Sequence, residues 1–598
     1  MKKRKLLRLA LLLCFGAALL ITSLGFHDYL KSHSDGTPAH SDSREKYQKK
    51  FDTYLESLFS QEVTASTINL HYTLKNPENY GIDNYTVTYG DVSRDSYQAS
   101  FLALENIRKV LESYDPKKLD TPRRLTYDIL YAETELDLSA ADLYLYQEML
   151  RPSTGVQAEL PVLMAEYAFY DEGDVQDYLA LLGKTQDYFR QILLFQMEKA
   201  NHGLFMSQFA AEDIISQCRN FIADKENNYL IETFADKIDA MEGLTEEQKQ
   251  SYKEQNSQAV LDSVIPAYEM MAHGLEKLKL SGKNQQGLCY LPEGKAYYEY
   301  LVKSYTGSDR TVEQMQEATT QKRAQDMSQA AKLLSENPDL LTQTASYAFA
   351  QQDPTAILTE LLGKMKQDFP APPDTDFTVK YVHPSLEEFM APAFYLAVPI
   401  DDITQNSIYI NGSNNYQKLK LYTTLAHEGY PGHLYQNVME RSQGFPTIRS
   451  LLGTSGYSEG WATYVEMIAY QYADMDHKLA QLFQLDQSAL LSLYATADMG
   501  IHYDGWSLAR MKEFFGEYQI TNEEALTDVY QLIVEEPAHY LKYYIGYLEF
   551  LDLKEYAKKL YGEAYSDYRF HEAIMRMGPA QFPVLREYLE AFYGGKTP

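Results

Sequence analysis

Cysteine occurs only three times in 598 residues. That scarcity excludes a disulfide-stapled scaffold and any multi-cysteine zinc ribbon. Positive charge is also short: Lys and Arg number 54 against 84 Asp and Glu, a formal net charge of −30. So acidic a surface repels phosphates, and no nucleic-acid partner is expected. Beyond residue 26 no stretch is long and apolar enough to span a bilayer. No fixed-period repeat is visible, which argues against a solenoid. What is present is ordinary globular material, 45% hydrophobic and 23% charged residues, enough for a sizeable core and too apolar for wholesale disorder. Tyr outnumbers Phe by 51 to 25, which favours partly wet aromatic surfaces over a purely oily interior.

The one long apolar run, Leu9–Phe26, follows a basic start, MKKRK and Arg8. Residues 1–30 read as a signal anchor or a signal peptide, and residues 31–43 as a polar tether. No small-x-small site follows the run, which favours an uncleaved anchor. The expected location is the cell membrane, single-pass, with the body outside; secretion after cleavage is the alternative. Cys14 is preceded by Leu13 rather than a small residue, so lipid attachment there is set aside. Cys218 and Cys289 would face an oxidising space and could pair.

The body, residues 44–598, is expected to be mostly α. Apolar spacings of three and four predict helices over Tyr47–Phe59, Ser100–Tyr114, Arg124–Tyr146 and Val175–Ala200. A Pro-rich break at Ala371–Asp374 divides an N-terminal half, 44–370, from a second half, 371–598. Short strands are predicted at Phe377–Val382, Phe394–Val398 and Ser407–Ile410, and helical periodicity returns at Lys418.

Just after those strands the chain reads Leu425-Ala-His-Glu-Gly-Tyr-Pro-Gly-His433. A His-Glu pair with a second His nearby is how zinc peptidases present two imidazole ligands and a general base. The usual spacing is four residues; His427 and His433 are six apart, roughly 120° out of line on a regular helix. Pro431 and Gly432 lie in the gap and could provide a bulge that realigns the rings. Glu459 is a candidate third ligand, and Glu466, two turns later, points the same way. The competing reading makes these carboxylates solvated helix charges and the histidines packing residues.

Taken together, Leu425–Gln436 (LAHEGYPGHLYQ), Glu459–Glu466 (EGWATYVE), Asp498–Trp506 (DMGIHYDGW) and Tyr543–Gly546 (YYIG) resemble the signature of the bacterial domain-of-unknown-function family eight-eight-five. Leu291–Tyr298 and Arg569–His571 fit its order, so the resemblance runs from about Arg44 to the C-terminus. It implies a gluzincin-type zinc metallopeptidase: a helical zincin-like body with a deep cleft, distantly similar to thimet oligopeptidase, angiotensin-converting enzyme and the Taq-type carboxypeptidases. By that resemblance His427, His433 and Glu459 hold one Zn2+ per chain, Glu428 is the general base and Tyr543 donates to the oxyanion. One stretch departs from the family: Leu493–Ala497 reads LYATA, where arginines are common.

Tyr544 and Tyr547 compete with Tyr543. Gly546, three residues after Tyr543, would let another backbone or a substrate approach that face, whereas Tyr547 shares the face and stays a rival. His502 is a candidate oxyanion donor or substrate-orienting group, and His571 a weaker one. Trp461 and Trp506 read as core packing. The expected function is an exported zinc peptidase that hydrolyses short peptides through a zinc-activated water. The alternatives are a non-catalytic surface protein binding peptides or glycans, and a zinc hydrolase of other amides or esters; a pure binder has no need of Glu428.

Overall fold

The computed structural model describes residues 43–382, 387, 391–413 and 421–593. The expected anchor and nearly all of the tether lie outside the described residues. Among the described residues no helix is long and apolar enough to cross a membrane.

The fold is predominantly helical, and its helices begin where the side chains can satisfy free backbone N–H groups. Asp171 forms a capping box with Asp174 at the start of Glu172–Asn201, so that helix opens ahead of the apolar periodicity that begins at Val175. Helix Arg44–Val63 covers the first predicted segment, and Arg94–Glu112 holds the second up to its last two residues. The segment predicted as one helix from Arg124 to Tyr146 is two elements: a helix over Thr121–Leu138, then a 3-10 turn over Ala141–Tyr146. Ser139 closes the helix by turning its hydroxyl back onto the Leu136 carbonyl, a local bond that competes with continued helix.

Three strands make the small sheet: β1 (Asp376–Tyr381), β2 (Ala393–Leu396) and β3 (Gln405–Ile410). Their order is β1-β3-β2, with β3 central, parallel to β1 and antiparallel to β2. β2 is therefore an edge. Five later helices build the site: α1 (Leu421–Glu428), α2 (His433–Arg441), α3 (Ser455–Tyr472), α4 (His477–His502) and α5 (His539–Tyr561).

The cores do not divide at residue 370. The larger one joins Phe51, Leu125 and Tyr298 to Leu425, Trp461, Phe550 and Leu589, so residues from both halves of the body share it. The second gathers Tyr178, Phe234 and Tyr268 with Phe394 and Tyr409 of the sheet and with Tyr543 of α5. The two described cysteines are both free thiols. Cys218 is sealed in the second core, while Cys289 faces the Ile501 carbonyl, so the pairing left open by the sequence is absent.

At the centre α3 and α5 cross with their backbones touching. A Cβ on Gly460 would stand 2.4 Å from the Gly546 carbonyl carbon, and one on Gly546 would stand 2.3 Å from the Gly456 carbonyl oxygen. The missing side chain of Gly546 thus admits another backbone, that of α3. Gly460→Ala and Gly546→Ala should each destabilise the fold by about 1–3 kcal/mol or more through overpacking. Gly183→Ala, at an exposed position inside the Glu172–Asn201 helix with open space around it, should instead stabilise by about 0.4–1 kcal/mol. Thermal unfolding of the three variants checks the opposite signs.

Candidate metal centre

Helix α1 ends at Glu428 and α2 starts at His433. Between them the chain passes through a cis Tyr430-Pro431 bond and Gly432. A Cβ on Gly432 would lie 1.8 Å from the His427 carbonyl oxygen, so only glycine fits there. The six-residue spacing is thus accommodated by a break between two helices rather than a bulge within one. Trp461 does more than pack, because its Nε1–H donates to the Pro431 carbonyl at 2.9 Å and pins the turn to α3.

The break brings the two imidazoles together at 81°, with ring centroids 4.9 Å apart. Each Nε2 lies 3.5 Å from Oε2 of Glu459, which α3 projects into the same gap. One ligand atom from each of His427, His433 and Glu459 lies within 4.8 Å of the others. All three side chains are buried, yet the two Nε2 atoms and both Glu459 oxygens have no hydrogen-bond partner. Buried polar atoms left unpaired are costly unless something satisfies them. Two imidazoles and one carboxylate around a shared gap are a donor set that zinc takes, and the residues fit the ion.

The outer nitrogens are held. His427 Nδ1 lies 3.3 Å from Glu466 Oε2, and His433 Nδ1 lies 3.3 Å from Ser458 Oγ. These contacts orient both rings so that each Nε2 is turned toward the gap. Glu428 is buried beside them, and its Oε2 accepts the Tyr395 N–H from the free side of β2 at 3.0 Å. Burial pushes the Glu428 carboxyl up to about 8. Glu459 goes the other way: burial opposes its charge, but Lys542 and the two imidazoles hold it ionised, well below the usual carboxylate range. A cavity of about 260 Å³ adjoins this group, lined by His433, Tyr395, Gln436, Glu440, Tyr457 and Ser458 among others.

Tyr543 is brought to the site, its ring centroid 6.4 Å from that of His427. Tyr547 is not. It packs instead near Ser488 and Asp326, with its ring 6.1 Å from that of Tyr544.

His502 also stands apart. Its Nδ1 accepts from Leu288 N–H at 3.1 Å and its Nε2 donates to the Ile533 carbonyl at 2.7 Å, so neither nitrogen is left for a substrate. The rest of its motif is architectural too. Gly500 lies directly under the Trp506 ring. Asp498 accepts from Tyr298 OH at 2.7 Å and from Ala538 N–H at 3.0 Å, fixing the start of α5. His571 is likewise engaged at both nitrogens, by Tyr464 OH and the Asp368 carbonyl, and stacks on Phe369.

Sequence reasoning missed Lys542, Ser458 and His539. Lys542 Nζ lies 3.5 Å from Glu459 Oε1, and the His539 ring centroid is 5.6 Å from that of Tyr543. A signal for Lys542 existed: it is the one lysine or arginine in HYLKYYIGYLEF, residues 539–550, a mainly aromatic and apolar run.

Burial holds His502 neutral, lowering it to about 4. Unfolded, it titrates near 6.5. Its stabilising contribution is therefore complete above about pH 6.5 and is lost as pH falls through about 4. His502→Ala should lose about 1–3 kcal/mol at neutral pH by leaving a buried N–H and C=O unpaired. The gap in unfolding temperature from the wild type should narrow between pH 6.5 and 4; a constant gap would reject this role.

Solved structures share the fold. "The crystal structure of the putative lipoprotein from Colwellia psychrerythraea" is similar with a TM-score of 0.80 and 20% sequence identity, covering 93% of this chain and 100% of that chain. "The structure of a putative lipoprotein of unknown function from Shewanella oneidensis" is similar with a TM-score of 0.63 and 16% identity, covering 92% of this chain and 100% of that chain. No curated protein matches the chain. The family described as "Bacterial protein of unknown function (DUF885)" matches residues 78–589, most of the chain and all of the candidate metal centre, and the protein belongs to that family.

Proposed function

We propose that the protein is a zinc-dependent peptidase of gluzincin type, acting on short peptides outside the cytoplasm. One observation carries the reading: three buried donor atoms without hydrogen-bond partners converge from two helix ends and a crossing helix, with a buried glutamate beside them. His427, His433 and Glu459 would hold the ion, which when bound acts as a Lewis acid toward a substrate carbonyl and the attacking water. Glu428 has one oxygen held by Tyr395 N–H, which leaves Oε1 to take a proton from that water and return it to the leaving amine. Tyr543 supplies the hydroxyl that faces charge developing on the carbonyl oxygen. β2 is an edge whose outer side already touches Glu428, so an extended peptide added there would run past the triad.

Wild-type protein should carry one zinc per chain by elemental analysis and should cleave members of a mixed peptide library. His433→Ala should lose most of the metal with its helical content intact. Glu428→Gln should keep the metal and lose turnover, and Tyr543→Phe should lose about 100- to 1,000-fold in turnover while Tyr547→Phe stays near wild type. Full zinc in His433→Ala would reject the ligand set, and near-normal turnover in Glu428→Gln would reject the base. A zinc-free, inert protein that binds peptide would establish the binding alternative instead.

The export reading is supported by the basic start of the chain and by the lipoprotein descriptions of the two similar structures. Protease added to cells stripped of their wall should digest residues 44–598. Protection of that whole segment would contradict an external body.

A further inference from the structure

We infer that Lys542 is a built-in counter-cation of the metal centre, which balances Glu459 when no metal is bound and loosens the grip of the triad on a divalent ion. The inference rests on the metal reading above. The Lys542 ammonium stands 3.5 Å from Glu459 Oε1, with the two side chains only 9% and 0% exposed. The other carboxylate oxygen, Oε2, is the one 3.5 Å from each imidazole Nε2. Glu459 is thus divided, one oxygen facing a permanent cation and the other facing the gap.

A fully buried carboxylate with no nearby cation would be strongly disfavoured. Among the described residues Lys542 is the lysine or arginine within ion-pair reach of Glu459; the guanidinium of Arg151 is 3.4 Å from Glu536 instead. Lys542 is also poorly placed to withdraw when an ion arrives. It sits on α5, whose backbone is locked against α3 four residues later at Gly546. Its ammonium lies over the neighbouring Tyr543 ring, 5.1 Å from the centroid. A divalent ion entering beside Oε2 therefore meets a fixed positive charge a few ångströms away, in surroundings that screen it poorly. The same charge that keeps the empty site folded works against the ion. This centre should exchange its metal more readily than one with the same three ligands and a neutral neighbour.

Lys542→Met keeps the length of the side chain and removes the charge; Lys542→Arg keeps the charge. Zinc affinity is read by competition with a chromogenic chelator, and stability by thermal unfolding of stripped and zinc-loaded protein. Lys542→Met should bind zinc at least about tenfold more tightly than wild type. Its metal-free form should melt lower, so that the rise in melting temperature on adding zinc becomes larger, as linkage requires. Lys542→Arg should stay close to wild type in both. Should the Met variant fail to fold, Lys542→Gln, which can still donate to Oε1, makes the same comparison. Unchanged or weaker zinc binding in the neutral variant, or an equal loss of stability with and without zinc, would overturn the counter-cation. If wild type itself takes up no zinc in the same titration, the metal reading fails first and takes this inference with it.

Discussion

The backbone contact of α3 with α5 is the constraint on which the rest of the site depends. Gly456 and Gly460 meet Gly546 with no room for a Cβ on either side. Ordinary helix pairs are held about 8–10 Å apart by the side chains between them. Removing those side chains at one crossing lets Glu459 on α3 share a space with Lys542 and Tyr543 on α5. Two turns further along α3, Glu466 reaches the outer nitrogen of His427. A wider crossing would separate the carboxylate from the cation that balances it and from the histidines that face it.

Around that crossing the remaining structure acts as bracing. The break between α1 and α2 is held by the Gly432 contact and by Trp461, itself on α3. The start of α5 is held by Asp498, which also takes the Tyr298 hydroxyl from a helix two hundred residues earlier in the chain. β2 holds Glu428 through a backbone N–H. Each group at the centre is thereby oriented by a side chain or backbone group that does not itself enter the gap. Such outer support fixes ligand geometry and tautomer.

The site is electrostatically tight as well as sterically tight. Burial raises Glu428, whereas Lys542 and the imidazoles keep Glu459 ionised against the same burial. Two carboxylates on neighbouring elements are driven in opposite directions by their surroundings, the pattern that separates a proton acceptor from a permanent charge. Lys542 is the residue that makes the difference, and nothing in the local sequence around Glu459 announces it.

Much of this was legible in the residues alone. Apolar periodicity located the helices, β-branched and aromatic runs located the three strands, and the spacing of His427, Glu428, His433 and Glu459 pointed to a common site, because these are local patterns set by backbone geometry. What the residues left open or misplaced has a different cause. His502 carries the chemistry of a catalytic residue, but whether its nitrogens are free depends on Leu288 and Ile533, remote in sequence. Tyr543 and Tyr547 share a helical face on paper, and only the packing of neighbouring helices sends one to His427 and the other to Ser488. Local order follows from side-chain spacing along the chain, so the sequence by itself determined the elements and the identity of the metal-binding candidates. Which candidates meet, and which cation stands beside them, was decided by the tertiary structure, because the glycine crossing brings together atoms that sequence distance keeps far apart.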